Sequence, residues 1–439
     1  MRILVSVLCL EKAGSHVLAL SLASAMAERG HQLFLFNQGE QLVDSGMVAQ
    51  YLRPEIPVIG MDSYPVLNAF CWKLNGLLKR LGVKASFHEY CKTLLLFYVV
   101  RRYKIDLVHS HELLVGTSRL VQLSRRIPLV VTDHGGYSML IKMGDRSFTP
   151  YANLGSAIVA VSEYSRHLLE QDASDVAVDS EALKKTGARI IAADFQAEAS
   201  SLRHSGKLVT KVPLTVPVYT IYNGVQVHQG ELPARATIRQ RLNIPATTLV
   251  FGMIGRGTAQ KGWEYALRAY MQLKEQLPAQ LMAFICMGAG PVLDELQKQV
   301  GASHSDIHFI GSVDDPHSWM PACDIGIMAS CFSEGLPLSI IEFYEHGIPV
   351  VASTLGGIPE IVQPKDGTPG GLLVSMNSDA TPRIEHLVEQ MSVYATDSNL
   401  RIQHGVAAKH IRETFGMAAC AEKYERLFQK VLAEKDTRK

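Results

Sequence analysis

Two glutamates, Glu334 and Glu342, flank a Gly-Leu-Pro turn in the sequence SEGLPLSIIE. A single helix would place both carboxylates on one face, because they are eight positions apart and a helical turn takes about 3.6 residues. Gly335 and Pro337 disfavour that arrangement. We therefore predict a turn that carries Glu334, followed by a helix that begins near Leu338 or Ser339. The side chain of Ser339 would cap this helix, with Glu342 completing a capping box.

The residue types around this turn suit a sugar phosphate. Free backbone N–H groups at the start of a helix attract a phosphate, and Glu342 could accept hydrogen bonds from sugar hydroxyls. A capping box before an apolar run is also common for structural reasons alone. The residues that follow favour a ligand site, because Ile348 to Ala352 predict a buried strand that Gly356-Gly357 ends. Open α/β sheets bind ligands where such strands end.

The segments SEGLPLSIIE, GIPVVAS and GGIPEIV resemble the donor-binding signature of family four retaining glycosyltransferases, which have the GT-B fold. The resemblance implies an α/β protein with two Rossmann-like domains that face each other across a cleft. The acceptor-side domain would span residues 1–222 and the domain that binds the nucleotide sugar residues 223–415. Residues 416–439 would form a helix that crosses back to the first domain.

A basic pair surrounds a second glycine loop, after the predicted strand 249–255. Arg256 and Lys261 bracket this loop, and a helix is predicted from Gly262 to Leu277. A strand that leads through such a loop into a helix start favours an anion. The order Gly-Arg followed by Lys-Gly matches the family pattern, which implies that Arg256 and Lys261 hold the diphosphate of the donor.

The first half opens as a β-α-β unit, with a strand over residues 3–10, a helix from Val17 to Arg29 and a strand from Leu33 to Phe36. Its loop EKAGS contains only Gly14, so the dinucleotide fingerprint of a dehydrogenase is missing. The resemblance places Gly14 between the acceptor and the donor phosphate.

A histidine at a later strand end is the second candidate in this half. His134 precedes Gly135-Gly136 at the end of a predicted strand, where α/β sheets bind ligands. The resemblance implies that His134 faces the donor sugar. His109 and His111 stay open between acceptor binding and a structural role, and no third ligand that would complete a metal site is evident.

The resemblance also implies the remaining roles. Glu334 would hold the donor sugar, Glu342 the ribose, and the backbone near Val313 the nucleobase. The catalytic candidates are Glu334, His134, Arg256 and Lys261. The donor-binding candidates are Gly14, Arg256, Lys261, Val313, Glu334, Gly335, Leu336, Pro337, Leu338, Ser339 and Glu342.

No carboxylate is an obvious covalent nucleophile, so we expect attack on the face from which the leaving group departs. Neither a divalent metal nor a further cofactor is expected, because side chains and backbone supply the charge stabilisation and no D-x-D pair stands in the expected place. Two alternatives are a sugar-nucleotide epimerase of the same fold and a non-catalytic sugar-nucleotide-binding protein. One departure from the family is Phe343-Tyr344-Glu345-His346 after Glu342, where small residues are usual, and it leaves the packing behind the nucleotide open.

Residues 71–104 combine apolar and basic side chains, with eight Lys or Arg against one acid, Glu89. The segment predicts either an amphipathic surface on anionic lipid or a helical pair with a solvated basic face. The resemblance admits a lipid-linked or glycan acceptor, as in cell-envelope, polysaccharide or lipopolysaccharide synthesis. The stretch 171–216 is longer than the family requires and predicts either an extra helix pair or a flap.

The overall composition fits two domains and a reducing compartment. The chain has 439 residues, a net charge of +1 and seven cysteines without a C-x-x-C pair. The charge gives no reason to expect nucleic acid as a partner. The apolar start ends at Glu11 and Lys12, which predicts a buried strand rather than a signal peptide, and no other apolar run reaches membrane-spanning length. We expect a cytoplasmic protein, in the lipid-surface alternative peripheral on the inner face of the cell membrane.

Overall fold

The computed structural model describes residues 1–39, 43–82, 87–114, 119–171, 185–190, 212–300 and 303–436. Its named strands form two sheets in which every neighbouring pair is parallel. The first sheet contains β1 (Arg2–Val7), β2 (Gln32–Asn37), β3 (Val58–Ile59), β4 (Leu107–Ser110), β5 (Leu129–Asp133), β6 (Ala157–Ala160) and β7 (Val218–Thr220). The second contains β8 (Leu249–Ile254), β9 (Met282–Met287), β10 (Ile307–Gly311), β11 (Ile325–Met328), β12 (Val350–Ser353) and β13 (Gly371–Val374).

The α-helices connect and cover these strands. Those associated with the first sheet are α1 (Gly14–Glu28), α2 (Ser45–Tyr51), α3 (Pro65–Arg80), α4 (Phe87–Arg102), α5 (Arg119–Leu123), α6 (Gly136–Lys142), α7 (Thr149–Ala152) and α8 (Glu163–Glu170). Those that follow are α9 (Arg235–Arg241), α10 (Trp263–Gln276), α11 (Pro291–Val300), α12 (Leu338–Glu345), α13 (Ile358–Val362), α14 (Ile384–Thr396), α15 (Ser398–Glu413) and α16 (Met417–Asp436).

Each sheet is buried on both faces, as its continuous apolar strands require. In β1, Ile3 and Val5 belong to one core while Leu4 belongs to another on the opposite face. In β8, Val250 and Phe251 likewise belong to two different cores on opposite faces. Side chains alternate between the two faces of a strand, so each strand contributes to two cores and both faces need helices.

Both sheets have the strand order of a Rossmann fold. The first runs β3-β2-β1-β4-β5-β6-β7 and the second β10-β9-β8-β11-β12-β13. The strand order reverses between β1 and β4 in the first sheet and between β8 and β11 in the second. Each reversal opens a crevice at the carboxyl ends of the strands, where ligands bind. The predicted architecture of two Rossmann-like domains is confirmed. The loops after β1, β4, β8 and β11 are the ones placed to form a site.

The C-terminal helix α16 crosses back to the first domain, as predicted. Tyr424 and Phe428 belong to the same core as α1 and β1. The crossing is fixed by Val225, whose N–H donates to the oxygen of Phe415 (2.8 Å) and whose oxygen accepts from Met417 N–H (3.2 Å). The boundaries proposed between residues 222 and 223 and between 415 and 416 stay a prediction.

Two further expectations concern the surface of the first domain. Residues 71–104 lie largely on the helices α3 and α4, while Lys84 lies outside the described residues. The choice between a lipid-facing surface and a solvated basic face stays a prediction. Most of the 171–216 segment also lies outside the described residues; of those that are described, 185–190 are helical, whereas 171 and 212–216 are not. Within the described part of the chain, no helix is both long and apolar enough to cross a bilayer.

Candidate functional site

A cavity of about 720 Å³ lies where the crevices of the two sheets meet. Its wall includes residues that follow β1, β4 and β5 in the first domain and β8, β10 and β11 in the second. The structure brings every predicted site residue to this wall: Gly14, His134, Arg256, Lys261, Val313, Glu334, Gly335, Leu336, Pro337, Leu338, Ser339 and Glu342. Their catalytic and donor-binding roles stay predictions.

Glu334 and Lys261 form an ion pair in this cavity. Lys261 Nζ lies 2.5 Å from Glu334 Oε1, and Ser330 Oγ donates to the same oxygen at 2.9 Å. The Glu334 residue is 8% exposed, so its carboxylate is held by partners rather than by bulk water. The sequence did not indicate this pairing. A ligand hydroxyl that donates to Glu334 would therefore meet a carboxylate whose position is already set.

The capping box predicted at Ser339 and Glu342 is wrong. Helix α12 begins at Leu338, and its N-cap is Pro337, in an extended conformation (φ −71°, ψ 122°). Ser339 lies within the first turn, so its side chain is not in the N-cap position, and the side chain of Pro337 has no acceptor to offer. The first N–H groups of α12 are therefore left for another acceptor.

A second helix begins at the same place. Helix α1 starts at Gly14, and its N-cap is Ala13, whose side chain also has no acceptor. A Cβ built on Gly14 would lie 3.7 Å from the Leu338 side chain, so the two helix starts are neighbours. Each N-terminus carries a partial positive charge. Together with Arg256 and Lys261 on the same wall, they make this part of the cavity suitable for an anion.

The loop that carries Arg256 and Lys261 is fixed against the end of β11. Trp263 Nε1 donates to the Arg256 oxygen at 2.8 Å. Gly262 has a φ of 72°, and a Cβ there would lie 1.8 Å from the Ala329 oxygen, so only glycine fits. This close approach keeps Lys261 beside Glu334.

Glu342 is the acid of α12 that faces the cavity. Burial, with the negative charges of Glu345 and Asp315 acting in the same direction, raises the pKa of its carboxyl to about 7. A carboxylate that two hydroxyls donate to would be favoured in its ionised form. Binding a diol at Glu342 should therefore release a proton near neutral pH.

The two domains touch through glycines at the centre of the site. Gly135 has a φ of 105°, and a Cβ on it would lie 3.2 Å from the nitrogen of Gly335. In return, a Cβ on Gly335 would lie 2.7 Å from the oxygen of His134. Asp133 holds its side of this contact by accepting from Gly135 N–H (3.1 Å) and Tyr137 N–H (2.9 Å). His134 and Glu334 consequently share one cavity.

His134 is held by a second histidine, His111, whose role the sequence left open between acceptor binding and structure. His111 Nδ1 lies 2.9 Å from His134 Nε2, and their rings stack at 5.2 Å. Burial lowers the pKa of His134 to about 3, with the positive charge of His16 acting in the same direction. Burial also lowers the pKa of His111 well below its ordinary value, so both imidazoles are neutral at physiological pH and one donates the shared proton. This bond leaves the other nitrogen of His134 for a ligand.

The bulky residues after Glu342 are accommodated by glycines. A Cβ on Gly326 would lie 2.7 Å from the Phe343 ring, and one on Gly370 would lie 2.7 Å from the Tyr344 ring. Both aromatic rings are buried in the core behind α12. The departure from the family pattern is thus compensated within the second domain, and Glu342 keeps its place on the cavity wall.

Several cavity residues of the first domain were missed by sequence reasoning. Lys12 Nζ donates to the Val313 oxygen across the cleft and lies 3.2 Å from Asp314 Oδ1. Glu112 accepts from Gln38 Nε2 at 2.9 Å, and burial raises the pKa of its carboxyl to about 7. Arg119 donates to Gln38 and also pairs with Glu89 of α4. Glu112 directly follows His111 at a strand end, which was the one available signal.

Both halves of the chain match family models of glycosyltransferases. Residues 248–390 match the family model described as glycosyl transferases group 1, and residues 13–178 match glycosyltransferase family 4. A similar protein is the D-inositol 3-phosphate glycosyltransferase of Corynebacterium glutamicum. It is 24% identical over 97% of this chain and 94% of its own length.

Comparison with solved structures shows the fold. A glycosyltransferase from Rickettsia africae is 17% identical, with a TM-score of 0.66 and 98% of each chain covered. HepE from Anabaena, solved in complex with UDP-glucose, is 18% identical, with a TM-score of 0.65 and coverage of 98% of this chain and 100% of its own. Both likenesses agree with the GT-B architecture expected from the sequence.

The raised pKa of Glu342 predicts a pH-dependent gain in stability on Glu342→Gln. Between pH 4.5, the ordinary pKa of the group, and about 7, the folded chain keeps a proton that the unfolded chain loses. The free energy of unfolding therefore falls as pH rises through this window. The glutamine variant should gain about 1–3 kcal/mol at about pH 8 and almost nothing near pH 4.5. Thermal unfolding at the two pH values measures the difference.

The matched control for this measurement is Glu389→Gln, which changes an exposed glutamate of α14. It should alter stability by less than about 0.5 kcal/mol at either pH. A Glu342→Gln variant that is no more stable than the wild type at pH 8 would show that the carboxylate is adequately solvated in the cavity.

Proposed function

We propose, because this chain belongs to the family four glycosyltransferases (glycosyl transferases group 1), that it transfers a sugar from a nucleotide diphosphate sugar to an acceptor hydroxyl and retains the anomeric configuration. The observation that carries the proposal is the meeting of two helix starts, Gly14 and Leu338, beside the Lys261–Glu334 ion pair. Such a wall offers a diphosphate site next to a carboxylate for sugar hydroxyls.

The donor would lie mainly along the second domain. Arg256, Lys261 and the first N–H groups of α12 would hold the diphosphate. Glu342 would accept from the ribose hydroxyls and Glu334 from those of the sugar, while the backbone near Val313 would meet the nucleobase. The structural neighbour with UDP-glucose bound supports a nucleotide sugar as the donor class.

Departure of the diphosphate is the step that this wall would assist. Negative charge grows on the leaving oxygens, and preorganised donors stabilise it as it forms. One well-placed donor of this kind is typically worth about 3 kcal/mol of barrier. Arg256, Lys261 and the helix starts together would meet this need, so we propose that catalysis requires no divalent metal at the diphosphate.

His134 would contact the sugar from the first domain. Its imidazole is neutral and fixed by His111, so it can hydrogen-bond to a sugar hydroxyl without adding charge. We assign no covalent nucleophile. In the proposed step the acceptor oxygen attacks the anomeric carbon from the face that the diphosphate leaves, the glycosidic bond to the phosphate oxygen breaks, and that phosphate takes the acceptor proton. This sequence retains the configuration.

The two alternatives are less well supported. The family models that match the chain and the relatives described above are glycosyltransferases, which does not favour an epimerase. A non-catalytic binding protein would have no need to hold Glu334, Lys261 and His134 in one cavity.

The acceptor side of the site adjoins an exposed apolar surface. Helices α3 and α4, with the residues next to them, carry ten of the nineteen exposed large apolar side chains among the described residues. These ten are Tyr64, Val66, Leu67, Phe70, Trp72, Leu77, Leu81, Tyr90, Leu94 and Tyr98. Exposed Lys73, Lys79, Arg80, Arg101 and Arg102 lie on the same two helices.

This apolar and basic surface suits an anionic lipid membrane. Glu89 of α4 lines the cavity, so a membrane on this surface would lie beside the acceptor end. We propose that the acceptor is a lipid-linked glycan precursor in cell-envelope or polysaccharide synthesis. The enzyme would then work on the inner face of the cell membrane.

Donor binding should appear as a thermal shift with one nucleotide class. UDP-, GDP- and ADP-sugars are compared without added metal. A donor at 100 times its dissociation constant adds about 2.7 kcal/mol to the native state. Arg256→Gln should lose most of this shift, because the charge at the diphosphate is gone, whereas Arg268→Gln on an exposed face of α10 should keep it. Equal thermal shifts in both variants would show that Arg256 does not bind the donor.

Glu334→Gln should slow sugar transfer. The amide oxygen can still accept from Ser330, but the charge that Lys261 and a sugar hydroxyl recognise is lost. A hydrogen bond to a charged group contributes about 1.5–3 kcal/mol, so the rate should fall about 10- to 100-fold. The stabilising donor serves as substrate with water as acceptor, and release of nucleoside diphosphate is followed by NMR. Glu389→Gln is the control.

The same NMR experiment tests the stereochemistry. The sugar should first appear with the anomeric configuration of the donor. An inverted product would contradict the proposed attack, and an unchanged rate in Glu334→Gln would remove that carboxylate from the catalytic set.

If the surface of α3 and α4 binds lipid, the protein should sediment with vesicles that contain phosphatidylglycerol. High salt should abolish this binding. Val66→Ser/Phe70→Ser should weaken binding, since these side chains are 84% and 57% exposed on α3. Ile402→Ser/Val406→Ser, with the same spacing on α15, is the matched control. Absence of sedimentation at low salt would exclude the membrane. A dimer that only the α3 variant disrupts would instead identify an interface between two copies.

A further inference from the structure

A second polar cluster lies behind α12, and its side chains are not on the cavity wall. It joins three separate parts of the chain. His228 follows the interdomain segment, Asp315 and His317 are in the turn after β10, and Glu345 and His346 end α12. The first three offer ligand atoms that all lie within 4.8 Å of one another. None of these side chains is assigned to the donor in the role proposed above for α12, although the charges of Glu345 and Asp315 act on Glu342.

We propose that His228, Asp315 and His317 bind a divalent transition-metal ion of the zinc class. Two imidazoles and a carboxylate are a ligand set that zinc accepts, at about 2.0–2.2 Å from each ligand atom. A tetrahedral site of that size separates its ligand atoms by about 3.3–3.5 Å. Side-chain rotations that draw the three groups together by up to about 1.5 Å would therefore close the site, without a change of fold.

The surrounding contacts hold these ligands in suitable orientations. His317 Nδ1 lies 2.9 Å from His346 Nε2, so His346 can fix the His317 ring and leave its other nitrogen for the ion. His317 N–H donates to Asp315 Oδ1 at 3.0 Å, and His228 Nδ1 lies 3.9 Å from the same oxygen. Metal-binding histidines commonly have such outer partners.

The cluster is also accessible to a cation. The Asp315 side chain is 30% exposed, which leaves a path for an ion from solvent. Glu345 accepts from His228 N–H at 2.7 Å and pairs with Arg412, which fixes the backbone next to the first ligand.

A metal here would link the interdomain segment to the donor-binding domain. His228 stands three positions after Val225, where the chain crosses between domains. Asp315 stands two positions after Val313, whose backbone lines the cavity. The ion would therefore hold the nucleobase side of the cavity to the segment about which the domains are joined. It would not touch the diphosphate, so its presence is compatible with metal-independent transfer.

Metal content measured on the full, untagged chain tests the proposal independently of activity. The protein is stripped with a chelator, incubated with zinc chloride, passed through a desalting column and analysed by mass spectrometry. The wild type should retain one zinc per chain, and its thermal midpoint should rise with zinc. Titration calorimetry should give binding more than about 100-fold weaker in His228→Asn and in Asp315→Asn, and about 10- to 100-fold weaker in His346→Asn.

The variants are chosen to keep the fold. His228 and Asp315 are both partly exposed, and asparagine at position 315 can still accept from His317 N–H. His410→Asn, an exposed histidine of α15 outside the cluster, is the control and should bind zinc like the wild type. The proposal is overturned if the wild type retains no zinc. It is also overturned if the His228→Asn/Asp315→Asn double variant binds zinc as tightly as the wild type.

Discussion

The site depends on a contact between two stretches of backbone, because Gly135 of the first domain meets Gly335 of the second with no room for a side chain. Any residue larger than glycine at position 335 would push against the His134 oxygen, 2.7 Å from its Cβ. The contact sets how far His134 stands from Glu334. It also explains why both loops contain glycine immediately after the residue with a proposed role. The two domains touch at this point, and the cavity lies around the contact.

The second domain could be predicted in more detail than the first, for a physical reason. Glu334, the turn and α12 are consecutive in sequence, so local patterns specify them, and the loop from Arg256 to Lys261 is equally local. The error at Ser339 was a matter of one or two positions, since Pro337 already ends the extended segment and the helix follows directly. The domain order and the returning C-terminal helix followed from the resemblance rather than from any local pattern.

What the sequence could not indicate are pairings between distant residues. Lys261 meets Glu334 across 73 positions, and His111 meets His134 across 23. The pairs form because parallel strands bring their carboxyl ends to one edge of a sheet. Lys12 reaches the Val313 backbone across 301 positions, between domains. Likewise His228 is about 90 positions from Asp315 and His317 in the sequence, so no local motif spacing could have suggested the proposed metal site.

The C-terminal helix connects the crossing of the domains to the histidines of the cavity. Gly224 passes so close to α16 that a Cβ would lie 2.6 Å from that of Cys420, which fixes the crossing beside Val225. One turn further along α16, the Tyr424 hydroxyl bonds to Thr132, and Thr132 bonds to His109. The His109 ring lies 4.3 Å from that of His111, which holds His134. Movement at the crossing would therefore reach His134 through packed groups rather than through a flexible loop. A cation at His228, three positions after Val225, would stiffen the same crossing, so the proposed metal and the returning helix would both limit how the cleft opens.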